Sequence, residues 1–262
     1  IGFGENALVK VGWSGTPQPL MTTLSSSSGA FGEPLLRPRP MTRKTVLLDP
    51  LPFAEPDRLV FVAASAPGTD LPPEVDVAPE LYVHYREHAT RMTDAAVYGS
   101  FTSTLRLGDR VERVRMSQPT NTLFATLGVT PLLGRLPTDA DETDAVVISH
   151  ALWTDWFGSD PGILGRRLDA SDRDRTIIGV MGPEFRFPDR NVMLWMSYAL
   201  KAADIRELGD FDFNMVARLA PGATPQALAD ELTVLSRQVP GRFGGTAAYA
   251  RIMERQQAVV RP

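Results

Sequence analysis

Apolar residues recur along this chain in short bursts of strand or helix period, and the bursts begin only after residue 45. Residues 59–64, rich in valine and phenylalanine, have the length and density of a buried strand. From Pro79 the rhythm changes to i, i+3, i+4. Leu81, Tyr82, Tyr85, Ala89, Met92 and Ala96 predict one helix, with Pro79 in its first turn. Residues 102–107 and 111–116 alternate on either side of Gly108-Asp109, which predicts a hairpin. Asn121 is placed to cap a short helix that runs to Leu127 and stops at Gly128. Residues 144–149 predict a strand, and Ser149 the cap of a helix carrying Leu152, Trp153, Trp156 and Phe157 up to Gly158. Paired strands are expected over 163–168 and 176–181 with a polar turn at 171–174, a further strand over 193–197, and a short helix over 199–207. Residues 215–219 predict a strand and Pro221-Gly222 a turn. Thr224 predicts the cap of a helix reaching about Gln238, with Leu228, Leu232, Leu235 and Val239 on its apolar face. A last strand is expected over 248–253. Helices interspersed with hairpin-joined strands predict an α+β fold, not a doubly wound sheet.

Residues 1–45 break every such pattern. Pro17, Pro19, four successive serines at 25–28, Gly29, Gly32, Pro34, Pro38 and Pro40 leave too little apolar area to offset the entropy of ordering. This predicts a disordered arm, with the folded body beginning near Val46. Gly2, Gly4 and Ala7 mimic a dinucleotide fingerprint, but no strand precedes them and no clear helix follows, so the context that gives that motif its chemistry is missing. The rest of the chain is long enough for one large or two modest domains with a self-sufficient core. Composition then removes whole classes. The net charge is −4 and the arginines are scattered among acids, so no basic stripe for nucleic acid exists. Zero cysteines exclude disulfides, thiol catalysis and thiolate metal ligands. No run approaches the roughly 20 apolar residues that cross a bilayer, and no signal-peptide pattern opens the chain. The sequence as it stands reads as soluble.

Four patterns could carry chemistry. His84, Glu87 and His88 spell HxxEH on the predicted helix, two imidazoles on one face with a carboxylate beside them, the inverted zinc-protease arrangement. A third ligand is not signalled, His150 being the only other histidine, and a solvated helix face is the favoured reading. Asp139, Asp141, Glu142 and Asp144 could attract a hard cation, but they lack EF-hand spacing and read as a solvated loop. Trp153, Trp156 and Phe157 have the helical spacing of a core or subdomain interface. Phe185-Arg186-Phe187-Pro188 reads as a structural turn more readily than a binding tip. Ser14, within Gly12-Trp13-Ser14-Gly15, misses the spacing of a nucleophile elbow, and no phosphate-binding loop is present. No catalytic, cofactor-binding or metal-binding residue is therefore expected.

The ordered pieces nevertheless have a family look. LLDPLPFAEPDRLV from Leu47, YREHATRMTDAAVYG from Tyr85, LRLGDRVERVR from Leu105 and LFATLGVTPLLGR from Leu123 come first. VVISHALWTDWFGSDPGILGRRL from Val146, TIIGVMGPEFRFPD from Thr176 and VARLAPGATPQALADELTVLSRQ from Val216 complete the series. Together they resemble the periplasmic core domain of MacB-like and FtsX-like ABC transporter permeases, over roughly residues 47–262. The resemblance implies a discontinuous α+β (porter-like) subdomain from residues 46–115 and 211–262, and a β-rich subdomain inserted at 116–210. Hinges would fall near 116–121 and 204–213. It implies a non-catalytic domain on the periplasmic side of the bacterial inner membrane that couples cytoplasmic ATP hydrolysis to export or to a periplasmic partner. The partners implied are a cytoplasmic ABC ATPase, reached through membrane helices, and a homodimeric full-length permease. The sequence departs from the family pattern in the polar arm after Gly2–Ala7, where an apolar membrane span is usual. It also departs at Gly182 and Ser197, where proline is usual, and the HxxEH positions are not functional in that family. Two other readings stand beside it: a stand-alone periplasmic binding or adaptor module, and a zinc-dependent hydrolase on His84 and His88.

Overall fold

The protein is represented by a computed structural model that describes residues 53–141 and 144–262. The expectations for the arm at 1–45, the start at Val46, Gly2–Ala7, Ser14 and Glu142 lie outside these residues.

β1 (Leu59–Ser65) alternates, with Val60, Val62 and Ala64 buried and Phe61 47% exposed, so it is a half-solvated strand and not a fully buried one. α1 (Pro79–His88) buries Glu80 to Tyr85 without interruption. It stops at His88, eight residues short of the expected end, because Ala89 turns extended (ψ 134°) and Glu231 seizes the exit. The Glu231 carboxylate accepts from Thr90 N and Arg91 N, each at 2.9 Å, and from Thr90 Oγ1 at 2.7 Å. Met92 and Ala96 consequently belong to β2 (Met92–Leu107). Ala95, Ala96 and Val97 are buried on both faces of the sheet, and such a continuous apolar run carries no period to tell strand from helix. Glu231→Ala should therefore destabilise the protein by about 1–3 kcal/mol, since two backbone donors lose their acceptor. An unchanged urea midpoint would mean that chain geometry alone makes this junction.

β2 and β3 (Arg110–Pro119) form the expected hairpin, longer than predicted, around Gly108 at φ +57°. α2 (Leu123–Leu127) ends at left-handed Gly128 as expected, but its N-cap is Thr122, without a side-chain capping bond. Asn121 instead lies in the turn before α2, which Leu123 N closes onto Thr120 O at 3.0 Å. It donates to Thr138 O at 2.9 Å and accepts from Tyr198 N at 3.0 Å. β4 (Leu133–Gly134) and β5 (Ala145–Ile148) precede α3 (His150–Phe157), which Ser149 caps through Leu152 N and Gly158 closes. β6 (Arg167–Ala170) and β7 (Asp174–Val180) pair, but β6 starts four residues later than expected because Pro161–Ile163 form a tight turn, and β8 (Val192–Met196) follows. The helix expected over 199–207 is only a single tight turn, Ala202–Asp204; the apolar Leu200, Ile205 and Leu208 are instead used individually against the core by an irregular crossing.

β9 (Asn214–Leu219) leads to α4 (Pro225–Ser236), capped by Thr224 as predicted, and α5 (Val239–Phe243). The strand expected over 248–253 is α6 (Ala247–Arg255). Thr246 caps it, and Tyr249 and Met253, four apart, share its buried face. The last strand is β10 (Gln257–Arg261).

The strands form one mixed sheet in the order β10-β1-β9-β2-β3-β8-β5-β7-β4, with β6 bridging β2 and β7. β3–β8 and β5–β7 are parallel. The architecture is α+β. Three apolar clusters lie on this sheet. The first gathers α1, α4, α6 and the inner halves of β1, β2 and β9. The second gathers α3 with Leu105, Val114, Met116 and the strands between them and Met196. The third is aromatic and is built on Tyr98, Phe124, Phe185, Phe187 and Trp195.

Candidate functional site

β2 is the element that touches all three clusters. Met92, Ala95 and Val97 enter the first, Ala96 and Tyr98 the third, and Leu105 the second. Its 16 residues span about 50 Å at ~3.3 Å per residue. It is paired by β9 over its first half and by β3 over its second, with an irregularity between Met92 and Asp94.

The third cluster packs around Trp195. Trp195 is 1% exposed, its ring 4.9 Å from Phe185 and 6.4 Å from Phe124, and its Nε1 donates to Phe187 O at 2.9 Å. Tyr98 stands edge-on to Phe187 at 4.8 Å. Phe185 and Phe187 are thus core residues, in line with the structural-turn reading. The first expected hinge, 116–121, is a stapled crossing. Thr120 N donates to Val97 O at 2.8 Å, Val97 N returns a bond to Thr120 Oγ1 at 3.1 Å, and Asn121 N donates to Tyr198 O at 3.2 Å. Breaking it would orphan buried backbone groups, so it does not bend freely. The second crossing, 204–213, has no regular element beyond the turn at its start. It is pinned by Gly209 N, which donates to Glu80 Oε1 of α1 at 2.8 Å, and by the pairing of Phe213 with Val77, just before α1.

A buried polar network backs the first cluster. Tyr249 OH donates to Glu80 Oε1 at 2.8 Å, Tyr85 OH lies 2.6 Å from Ser236 Oγ, and Gln256 Nε2 donates to Tyr85 OH at 3.2 Å. Burial pushes the Tyr85 phenol far up, and Tyr249 likewise, with Glu80 adding to the latter. Burial and the Asp76 charge push Tyr98 up to about 12. These hydroxyls stay protonated and bind structure; none is poised to move a proton. Arg218, 8% exposed, donates to Thr126 O at 2.9 Å, and burial with nearby Arg58 pushes its guanidinium down.

The sequence patterns fall elsewhere. His84 is buried and stacked on His88 at 4.3 Å between ring centres. Glu87 is bound by Arg242 at 2.5 Å, and the same guanidinium stands 3.4 Å from His84 Nδ1. Burial, His88 and Arg242 push His84 down. Glu87 is thus tied to a cation, and its neighbour imidazole faces that cation, an unsuitable environment for zinc. His84 is not the solvated residue that the helix pattern suggested. His150 is on α3 beside Trp153. Among the described residues, no group of three or more His, Asp or Glu side chains is arranged to hold a metal ion. Asp141 is gripped by Arg135 at 2.5 and 2.8 Å and by Thr138 N at 2.8 Å. The Arg135 guanidinium, with Thr138, lowers it to about 2 despite partial burial. Asp139 lies toward Asn121 Nδ2 at 3.5 Å. Trp153 and Trp156 flank the second cluster, Trp153 bonded to Asp160 O and Trp156 covered by Arg110 at 4.1 Å.

Among the described residues, one surface recess of about 350 Å³ is lined by Arg86, Met92, Thr93 and Asp94, and another of about 310 Å³ by Pro72, Glu74, Val75, Asp76 and Phe211. Neither brings together a nucleophile and a base. The residues that organise this architecture, Glu80, Glu231 and Arg218, carry no mark in the sequence, because a glutamate on a helix or an arginine in a strand is ordinary on a surface.

Residues 44–235 match the family model described as the MacB-like periplasmic core domain. The fold is also that of two solved structures. The periplasmic region of MacB from Actinobacillus actinomycetemcomitans superposes with a TM-score of 0.55 at 14% identity, covering 78% of this chain and 88% of that one. The extracellular domain of the noncanonic ABC-type transporter YknZ from Gram-positive bacteria gives 0.53 at 14% identity, covering 76% and 99%. No curated protein sequence matches the chain. No helix among the described residues is long and apolar enough to cross a membrane.

Proposed function

This chain belongs to the family of MacB-like periplasmic core domains, and from that premise we propose that it is the force-relaying, non-catalytic part of an ABC transporter permease. Cytoplasmic ATP hydrolysis, in this reading, moves membrane helices whose displacement the domain passes to an exported substrate or a periplasmic partner. The observation that carries it is β2, one unbroken strand that runs through three cores and so transmits displacement instead of absorbing it. A relay needs stiff bodies and a restricted joint, and no reactive side chain. Residues 46–115 with 211–262 act as the discontinuous body and 116–210 as the inserted one, with the arms of the β2–β3 hairpin reaching from the first into the second. The return crossing at 204–213, irregular and pinned at few points, is the compliant element.

Cross-linking the full-length protein in native membranes and purifying it tests this reading. An ABC ATPase subunit is expected to co-purify. A protein recovered only from the soluble fraction, with no ATPase attached, would replace the relay by a free-standing binding module.

A further inference from the structure

One of the two histidines of the HxxEH pattern is held against a cation. His84 is 3% exposed. Its Nδ1 lies 3.4 Å from Arg242 Nη1 of α5, and its Nε2 is buried with no hydrogen-bond partner among the described residues. A guanidinium only donates, so Nδ1 accepts and the ring proton sits on Nε2. A second proton would have to enter at Nδ1, pointing at the guanidinium. The His88 ring stacks on His84 at 4.3 Å between centres and is fixed there by its Nδ1, which donates to His84 O at 2.9 Å. His88 is exposed and can gain a proton at Nε2 without losing that bond. One carboxylate faces the group: Glu87 Oε2 accepts from the same Arg242 Nη1 at 2.5 Å. Two imidazoles and a guanidinium thus share a single anion where α5 packs on α1.

We propose that the contact between α1 and α5 is released by acid: a proton entering His84 at Nδ1 expels the Arg242 guanidinium from it, and α5 loosens from α1. Burial first, then His88 and Arg242, push His84 down, while Gln238, between α4 and α5, and Glu87 act the other way. Of the other charged groups around α1, Glu80 is bonded to Gly209 N and the Tyr249 hydroxyl, Asp94 of β2 is turned to Arg86, and Glu231 of α4 is bonded to Thr90 and Arg91. Arg237, at the end of α4, is exposed. The bond from Arg242 holds the Glu87 carboxyl below its ordinary range, so Glu87 remains an anion at mildly acid pH and keeps its own hold on Arg242. Acid therefore removes one of two anchors of that guanidinium and adds a cation beside it. A ring held below its unfolded value of 6.5 binds fewer protons in the folded protein than in the unfolded chain. The contact is thus at full strength above the unfolded value and weakens as pH falls from there toward the lowered one. A domain on the periplasmic face meets the pH of its surroundings, so acid would loosen the backing of α1 while force passes through it. That consequence rests on the relay reading; the release itself does not.

Hydrogen exchange of the whole chain at pH 7 and pH 5, corrected for intrinsic exchange rates, tests the release without reference to transport. Protection of peptides covering 239–244 should fall roughly two- to twentyfold on acidification, because each pH unit below the unfolded value favours opening by up to about tenfold. β2 and β9 should exchange as before. His84→Phe, which keeps a flat ring and loses the titration, should show no such fall. Nitrogen NMR of the imidazoles supplies a readout that packing alone would not move. The His84 ring should carry its proton on Nε2 at pH 7 and stay mostly neutral at pH 6.5, and Arg242→Met should raise its midpoint. A native segment indifferent to pH, a His84→Phe variant that still responds fully, or a His84 ring with its proton on Nδ1 at pH 7 overturns the proposal. If His84→Phe does not fold, the titration of the native ring decides, and a midpoint at or above the unfolded value of 6.5 overturns it equally.

Discussion

Replacing Trp195 by alanine is expected to lower the unfolding free energy by about 3–5 kcal/mol, the cost of emptying a large aromatic site in a packed core. The ring is 1% exposed and meets Phe185 at 4.9 Å and Phe124 at 6.4 Å. Its removal also strips Phe187 O of the indole donor at 2.9 Å. The site lies on β8, which pairs with β3 on one side and β5 on the other, so the surrounding strands cannot collapse into the void without breaking their ladders. Urea unfolding followed by circular dichroism measures the loss. Trp195→Phe, which keeps much of the volume and loses the bond, should cost about 1–3 kcal/mol. A loss below about 1 kcal/mol for the alanine variant would mean that the aromatic cluster is not packed as described.

The second large effect is expected from a single methyl group at Gly134. Its φ of +73° is left-handed, and a Cβ there would stand 2.2 Å from Ile178 O and 2.7 Å from Leu164 Cδ2. The first obstacle is backbone of the paired strand, so it cannot turn aside. Gly134→Ala must push β4 away from β7, weakening the bonds from Leu132 N to Val180 O at 2.7 Å and from Arg135 N to Ile178 O at 2.9 Å. Left-handed strain of about 1–3 kcal/mol and the weakened pairing together predict a loss of about 2–4 kcal/mol, on ~0.5–1.5 kcal/mol per hydrogen bond. Hydrogen exchange would show Leu132 and Arg135 losing protection before the rest of the sheet. A variant as stable as the parent would contradict the close approach of these strands.

Local signals were legible wherever one residue type does one job. Ser149 and Thr224 cap their helices, Gly128 and Gly158 end theirs in the left-handed region, and Gly108 turns the hairpin, all as patterned. Errors arose where period was ambiguous. Met92 and Ala96 continue the helical spacing of α1, yet they face the two sides of a sheet whose position depends on β9, a strand more than a hundred residues away. Tyr249 and Met253 read as part of a strand because Ala248, Ala250 and Ile252 beside them leave a short apolar run without a clear period, although the two share one face of a helix. HxxEH had a metalloprotease's spacing, but Arg242, distant in sequence, claims its glutamate.

By itself the sequence determined the α+β class, most of the caps and turns, and, through the order of its pieces, the family; these depend on neighbours within a few residues or on pattern along the chain. Only the tertiary structure decided that β2 runs through three cores, that Glu231 ends α1, that the 116–121 crossing is stapled, and that Glu80 stands buried against Gly209 and Tyr249. Each of these rests on partners brought together from across the chain, and the burial that makes them matter comes into being only when the sheet closes over them.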